Sequence, residues 1–192
     1  EFNPLLVGPF VELPGKDPIA PVLYPILARA MPGSLYYTAV AESGAAFTEA
    51  LGVAFEHYVG KQLALCDPEN LIPEITYDKD CKKSVDHIMV LPGLVVLVEV
   101  KATSLSEGGR LGTEKLESDF DRSPGKAVRQ IERTAKLIED EHPAFKHIPR
   151  DRPTVGLVVT MEPYHLCAND LVFPNQTHAV PTWLCSARDL EH

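Results

Sequence analysis

Apolar positions recur along this chain with two distinct periods. From Ala45 to Leu65, the residues Phe47, Leu51, Phe55, Tyr58, Val59 and Leu63 fall at helical spacing and Asp67-Pro68 ends the run, which predicts one amphipathic helix. Lys126 to Glu141 repeats the pattern, with Ala127, Ile131, Ala135 and Ile138 as the buried stripe and Lys126, Arg129, Arg133 and Lys136 as a basic flank. Between them, Ser84 to Ala102 is a β-branched and aliphatic stretch that reads as two strands joined at Pro92-Gly93. Further strands are predicted at Leu71–Tyr77, Val155–Met161 and Thr182–Ser186, the last containing the only tryptophan, Trp183.

The period of two assigns faces. With a symmetric turn at Pro92-Gly93, residues whose numbers sum to 185 oppose one another. Ile88, Val90, Val95 and Leu97 then share one face, and Met89, Leu91, Val96, Val98 and Val100 share the other. Both faces are apolar, the pattern of a sheet covered by helices on each side. A strand, a helical crossover and a second strand at Val155–Met161 imply a parallel pair with a right-handed connection. The expectation is an α/β fold with a mixed sheet flanked by helices on both faces.

Three residues interrupt the apolar pattern. Asp86, Glu99 and Lys101 fall on one face at the hairpin end farthest from the turn, with Asp86 opposite Glu99. Such a pair has Cβ atoms about 5 Å apart, and at an effective dielectric of about 20 two like charges at that range repel by roughly 3 to 4 kcal/mol. A positive group must compensate. Lys101 neutralises part of the charge, and a hard divalent cation with oxygen ligands, Mg²⁺ or Mn²⁺, fits the remainder. His87 points the other way by parity, and reads as a core or supporting histidine rather than a catalytic base.

Composition narrows the class. At 192 residues the chain suits one well-buried domain, residues 46–189, preceded by a proline-rich N-terminal arm over residues 3–45. Glu1-Phe2 and Leu190-Glu191-His192 read as residues left by cloning and are not expected to contribute to the fold. No apolar run approaches the roughly 20 residues of a membrane span, so a soluble, cytoplasmic protein without a membrane partner is expected. Cys66, Cys81, Cys167 and Cys185 show neither a Cys-x-x-Cys pair nor zinc-finger spacing, and read as idle thiols. There is no Gly-x-Ser-x-Gly elbow, phosphate-binding Gly-x-x-x-x-Gly-Lys-Ser/Thr loop or Gly-x-Gly-x-x-Gly turn, which removes the commonest hydrolase, NTPase and dehydrogenase readings. The net charge of −9 argues against loose affinity for polyanions.

Asp86, a hairpin, then Glu99-Val100-Lys101 resembles the PD-(D/E)xK nuclease superfamily, the restriction-endonuclease-like fold, and with both flanking helices the resemblance runs from about Phe47 to Met161. Val85 stands where the motif's name has proline. The resemblance implies metal-dependent phosphodiester hydrolysis, with Mg²⁺ or Mn²⁺ held by Asp86, Glu99, the backbone carbonyl of Val100 and Glu56, and with Lys101 orienting the attacking water. Without the resemblance, Glu56 reads as part of a solvated helix face; Glu49 is the fallback for its role. Glu74 is either a further acidic neighbour or a strand-surface residue.

Gln130 matches a glutamine found in some branches of the superfamily in the helix after the Glu-x-Lys strand, where it would position substrate or a water. The branch with a tyrosine four residues later is not matched, because Thr134 stands there. The resemblance implies nucleic acid as partner, DNA before RNA, and admits a homodimer and an additional recognition domain outside this chain. Lys126, Arg129 and Arg133 are candidates for phosphate contacts, against the ordinary reading of a solvated flank. Arg110, Lys115 and Arg122 in the glycine-rich loop from Thr103 to Gly125 are candidates too. The rival reading is a catalytically inactive nuclease-fold module that binds nucleic acid or protein.

Overall fold

The structure, a computed structural model, describes residues 4–6, 8–30, 32–103, 121–163 and 179–191. The chain divides into two compact units, Glu1–Ala50 and Leu51–His192. Within the first, a 3-10 turn at Pro4–Leu6 is followed by a bridge between Val11 and Ile19 and by helix α1, Tyr24–Ala30. Helix α2 spans Pro32–Ala64, and its helical path is interrupted at Gly44, where φ is 54°. That left-handed backbone suits glycine, which carries no Cβ to clash, and it explains why the amphipathic periodicity begins only at Ala45.

The second unit holds a five-stranded sheet with strand order β1-β4-β5-β6-β7. The strands are β1 Asn70–Pro73, β4 His87–Leu91, β5 Leu94–Lys101, β6 Thr154–Thr160 and β7 Thr182–Ser186. The β1, β4 and β5 neighbours pair antiparallel, and β5, β6 and β7 pair parallel, so the sheet is mixed. Helix α3, Pro124–Glu139, lies in the crossover from β5 to β6, and a short helix α4, Ala187–Leu190, follows β7. The register of the β4–β5 hairpin, His87 with Val98 through Leu91 with Leu94, keeps the sum of 185 expected from a symmetric turn.

Each face of the sheet carries its own core. On one, Ile88, Val95, Leu97 and Val158 pack with Ala127, Val128, Ile131 and Ile138 of α3. On the other, Phe55, Val59 and Leu63 of α2 cover Met89, Val96, Val98, Val100 and Val159. Fully burying side chains such as Val59 and Leu63 contributes roughly 1.5–3 kcal/mol each, so α2 from Leu51 onward is fixed by this face. The α/β architecture with helices on both faces is therefore present as its residues predict. Leu190, expected to lie outside the fold, packs against the α2-side cluster.

The segment Leu71–Tyr77 is corrected. It is not one strand: β1 ends at Pro73, and β2, Thr76–Tyr77, pairs instead with β3, Lys82–Lys83, in a separate two-stranded ribbon. Ser84 makes the break. Its hydroxyl accepts the Ile75 N–H at 2.8 Å and its own N–H donates to the Ile75 carbonyl at 3.0 Å, which draws the chain off the β4 ladder. Asp78 and Cys81 both adopt positive φ in the tight turn between β2 and β3. Helix α3 begins at Pro124, two residues before the apolar stripe indicates, because proline at the first helical position needs no N–H partner.

Candidate active site

The site forms where the β4–β5 ladder runs out. The last paired residues are His87 and Val98, so Asp86 stands just before β4 while β5 continues through Glu99 and Lys101 beside β6. Asp86 uses this mismatch: its Oδ2 accepts the Val100 N–H at 2.7 Å. Since the N–H and C=O of one strand residue point to the same edge, the Val100 carbonyl faces the side on which Asp86 sits.

Glu99 is 1% exposed, and Lys101 Nζ donates to its Oε1 at 2.5 Å. Its Oε2 is buried and has no hydrogen-bond partner among the described residues. Burial in apolar surroundings, reinforced by the charge of Asp86 and opposed by Lys101, pushes the Glu99 carboxyl up to about 7. Asp86 is raised as well, by burial above all, against the stabilising Val100 N–H. Glu56 is raised by burial and then by the charge of Asp86. Glu99 and Asp86 thus resist ionisation because both are largely withdrawn from water and lie close together, and Glu56 responds to Asp86 from a partly exposed position.

Asp86, Glu99 and Lys101 are brought together as their sequence positions predict. Glu56 reaches the electrostatic neighbourhood of Asp86 from α2 without completing a cluster: among the described residues no three His, Cys, Asp or Glu side chains form a metal-binding group. The donor set still suits a hard divalent ion. Two carboxylates and an edge carbonyl are oxygen donors, and the buried, unpartnered Glu99 Oε2 is the kind of atom that a cation satisfies. Glu74, half-recognised from sequence, adds negative field at Asp86 and Glu56 while bonding Lys83 at 2.9 Å.

His87 lies on the opposite face, as parity predicts. Its Nε2 meets the Glu56 carbonyl at 3.2 Å, and its ring fills the space a Gly60 side chain would take, with Cε1 only 2.9 Å from the position of a Cβ there. Gln130 does not reach toward Asp86; its Nε2 donates to the Ser84 carbonyl at 2.7 Å. Arg133 donates to the Lys83 carbonyl at 3.0 Å and Arg129 to the Asp121 carbonyl at 3.4 Å, while Lys126 is exposed. Arg110 and Lys115 lie outside the described residues.

Sequence reasoning missed two contributors, Ser84 and Thr134, both fully buried. A legible signal existed for Thr134: it stands one turn after Gln130 on the buried side of α3, where a hydroxyl needs a partner.

Fold and site together define a restriction-endonuclease-like α/β domain built around an Asp…Glu-x-Lys hairpin. The chain belongs to the nuclease-related domain (NERD) family, whose model matches residues 51–161, more than half of its length. Glu56, Asp86, Glu99, Lys101 and Gln130 all fall within that span. Among solved structures it is similar to the small subunit of the heterodimeric restriction endonuclease R.BspD6I, at 12% identity and a TM-score of 0.37, covering 69% of this chain and 62% of that one. The match thus spans less than two thirds of the length of that subunit. No curated protein matches the chain.

Proposed function

We propose that this domain is a Mg²⁺- or Mn²⁺-dependent nuclease that hydrolyses phosphodiester bonds in DNA. The observation that carries the reading is Glu99: a carboxylate 1% exposed, with one oxygen on Lys101 and the other unpartnered, beside a second buried carboxylate. A structural ion pair would satisfy both oxygens. A working metal site leaves one for the ion.

Asp86, Glu99 and the Val100 carbonyl would hold the ion, with Glu56 approaching through water. When bound, the ion polarises a phosphoryl oxygen and lowers the pKa of a coordinated water. Lys101 lies two residues along the same strand face, where its ammonium orients the attacking water and stabilises charge growing on the phosphate. Asp86 is kept in place by the Val100 N–H. Arg129, Arg133 and Lys126 on α3, with Arg110, supply phosphate contacts that position the strand without reading sequence. A recognition domain outside this chain supplies the further basic surface, since a second copy would bring the same net charge of −9.

The Lys101–Glu99 ion pair also favours a second reading, a metal-free binding module whose acidic residues are neutralised internally. Cleavage of plasmid, linear and single-stranded DNA with and without Mn²⁺ separates the two. The nuclease reading expects metal-dependent products that vanish in Glu99→Ala. It is abandoned if the parent yields none, or if Glu99→Ala cuts as fast.

A further inference from the structure

We infer that Gln130 and Thr134 are positioning residues that set the placement of Asp86 by gripping both ends of one peptide group, Ser84–Val85. The inference rests on the metal-dependent reading of the site. Gln130 Nε2 donates to the Ser84 carbonyl at 2.7 Å, and the Val85 N–H donates to Thr134 Oγ1 at 3.2 Å. Carbonyl and N–H belong to the same planar unit. The plane cannot rotate about its flanking bonds without losing both hydrogen bonds, and Asp86 is the next residue.

The remaining polar groups of this segment are also committed. The Ser84 hydroxyl donates to the Val85 carbonyl at 2.8 Å while accepting the Ile75 N–H at 2.8 Å. Arg133 holds the Lys83 carbonyl at 3.0 Å. Ser84, Val85 and Thr134 are all fully buried. Asp86 needs this support because it stands outside the β4 ladder, where no strand pairing fixes its backbone.

The chemistry of α3 points the same way. Ala127 and Ile131 already anchor the helix on the sheet, so an apolar residue at 134 would serve packing alone. A threonine there, one turn from Gln130, places a hydroxyl acceptor beside the amide donor on the same side of the helix, and the two meet the N–H and the carbonyl of one peptide group. Gln130 therefore acts through the backbone leading to Asp86 and not by touching substrate.

The test uses the full chain free of nucleic acid and Mn²⁺ alone as probe, read by calorimetric titration beside a thermal melt. Thr134→Val removes the acceptor at constant shape, Thr134→Ser retains the hydroxyl, and Gln130→Met removes the donor at a half-buried position. Thr134→Val and Gln130→Met are expected to bind Mn²⁺ about 10- to 100-fold more weakly, the range for residues that orient metal ligands, with Thr134→Ser close to the parent. Should Thr134→Val fail to fold, Gln130→Met carries the measurement. Folded variants with parental Mn²⁺ affinity overturn the inference, even if Gln130→Met cleaves slowly, since a substrate contact would produce that result. A parent that takes up no Mn²⁺ removes the metal-dependent reading itself, and this inference with it.

Discussion

Glu99→Gln in the metal-free protein exposes what the buried carboxylate costs. Gln has nearly the same shape and cannot ionise. In the parent, Glu99 rises from an ordinary 4.5 to about 7 on folding, so the folded state binds the proton more tightly than the unfolded chain. The sign follows: the contribution of this group is most favourable below pH 4.5 and is lost as pH rises through about 7. At 1.36 kcal/mol per pKa unit, the raised pKa of Glu99 costs the folded parent, relative to its stability below pH 4.5, about 3 kcal/mol at pH 8 and about 1 kcal/mol at pH 5.

Glu99→Gln escapes that cost. It should therefore melt above the parent at pH 8 in a chelating buffer, by about 6–12 °C for a protein of this size, with most of the gain gone at pH 5. Adding Mn²⁺ should reverse the order at pH 8, because only the parent offers an ionised oxygen. Circular dichroism melts at both pH values measure this directly. A variant less stable than the parent at pH 8 without metal, or one with the same difference at both pH values, would show that Glu99 is comfortably solvated or fully paired and refute the reasoning.

Other expectations are independent. Lys101→Met should lose cleavage by about 10²- to 10³-fold, the scale for removing one donor to developing charge. It should bind Mn²⁺ at least as well as the parent, because the ammonium competes for Glu99 Oε1; weaker uptake in titration would make Lys101 a structural partner instead. Gly156→Ala should cost about 1–3 kcal/mol in denaturant unfolding, because a Cβ there would stand 2.4 Å from Thr182 Oγ1 and 2.8 Å from Ile131 Cγ2. An unchanged midpoint would mean that α3 and β7 shift more freely than their burial implies.

The central hairpin was legible because Pro92-Gly93 leaves a two-residue turn, and the turn dictates register. Parity then placed Glu99 and Lys101 on one face and His87 on the other; that α3 covers the first and α2 the second is seen only in the structure. The helices were legible from their apolar stripes, with Asp67-Pro68 marking the end of the first. The β2–β3 ribbon was not, because Thr76-Tyr77 and Lys82-Lys83 carry no alternation and are joined through positive-φ residues that are not glycine. Nor were the partners of Gln130 and Thr134, which are backbone groups 46 and 49 positions away in the chain. Side-chain to main-chain bonds of that range leave no periodic trace.

From Val95 to Val98, strand β5 is bonded on both sides, antiparallel to β4 and parallel to β6, and this stretch is screened by both apolar cores. Amides in such a strand exchange with solvent only through the rarest, chain-wide openings. Glu99 follows directly on that doubly bonded stretch and keeps its pairing with β6, so its backbone is anchored by the sheet on one side and, through the next residue, by the Val100 N–H bond to Asp86 on the other.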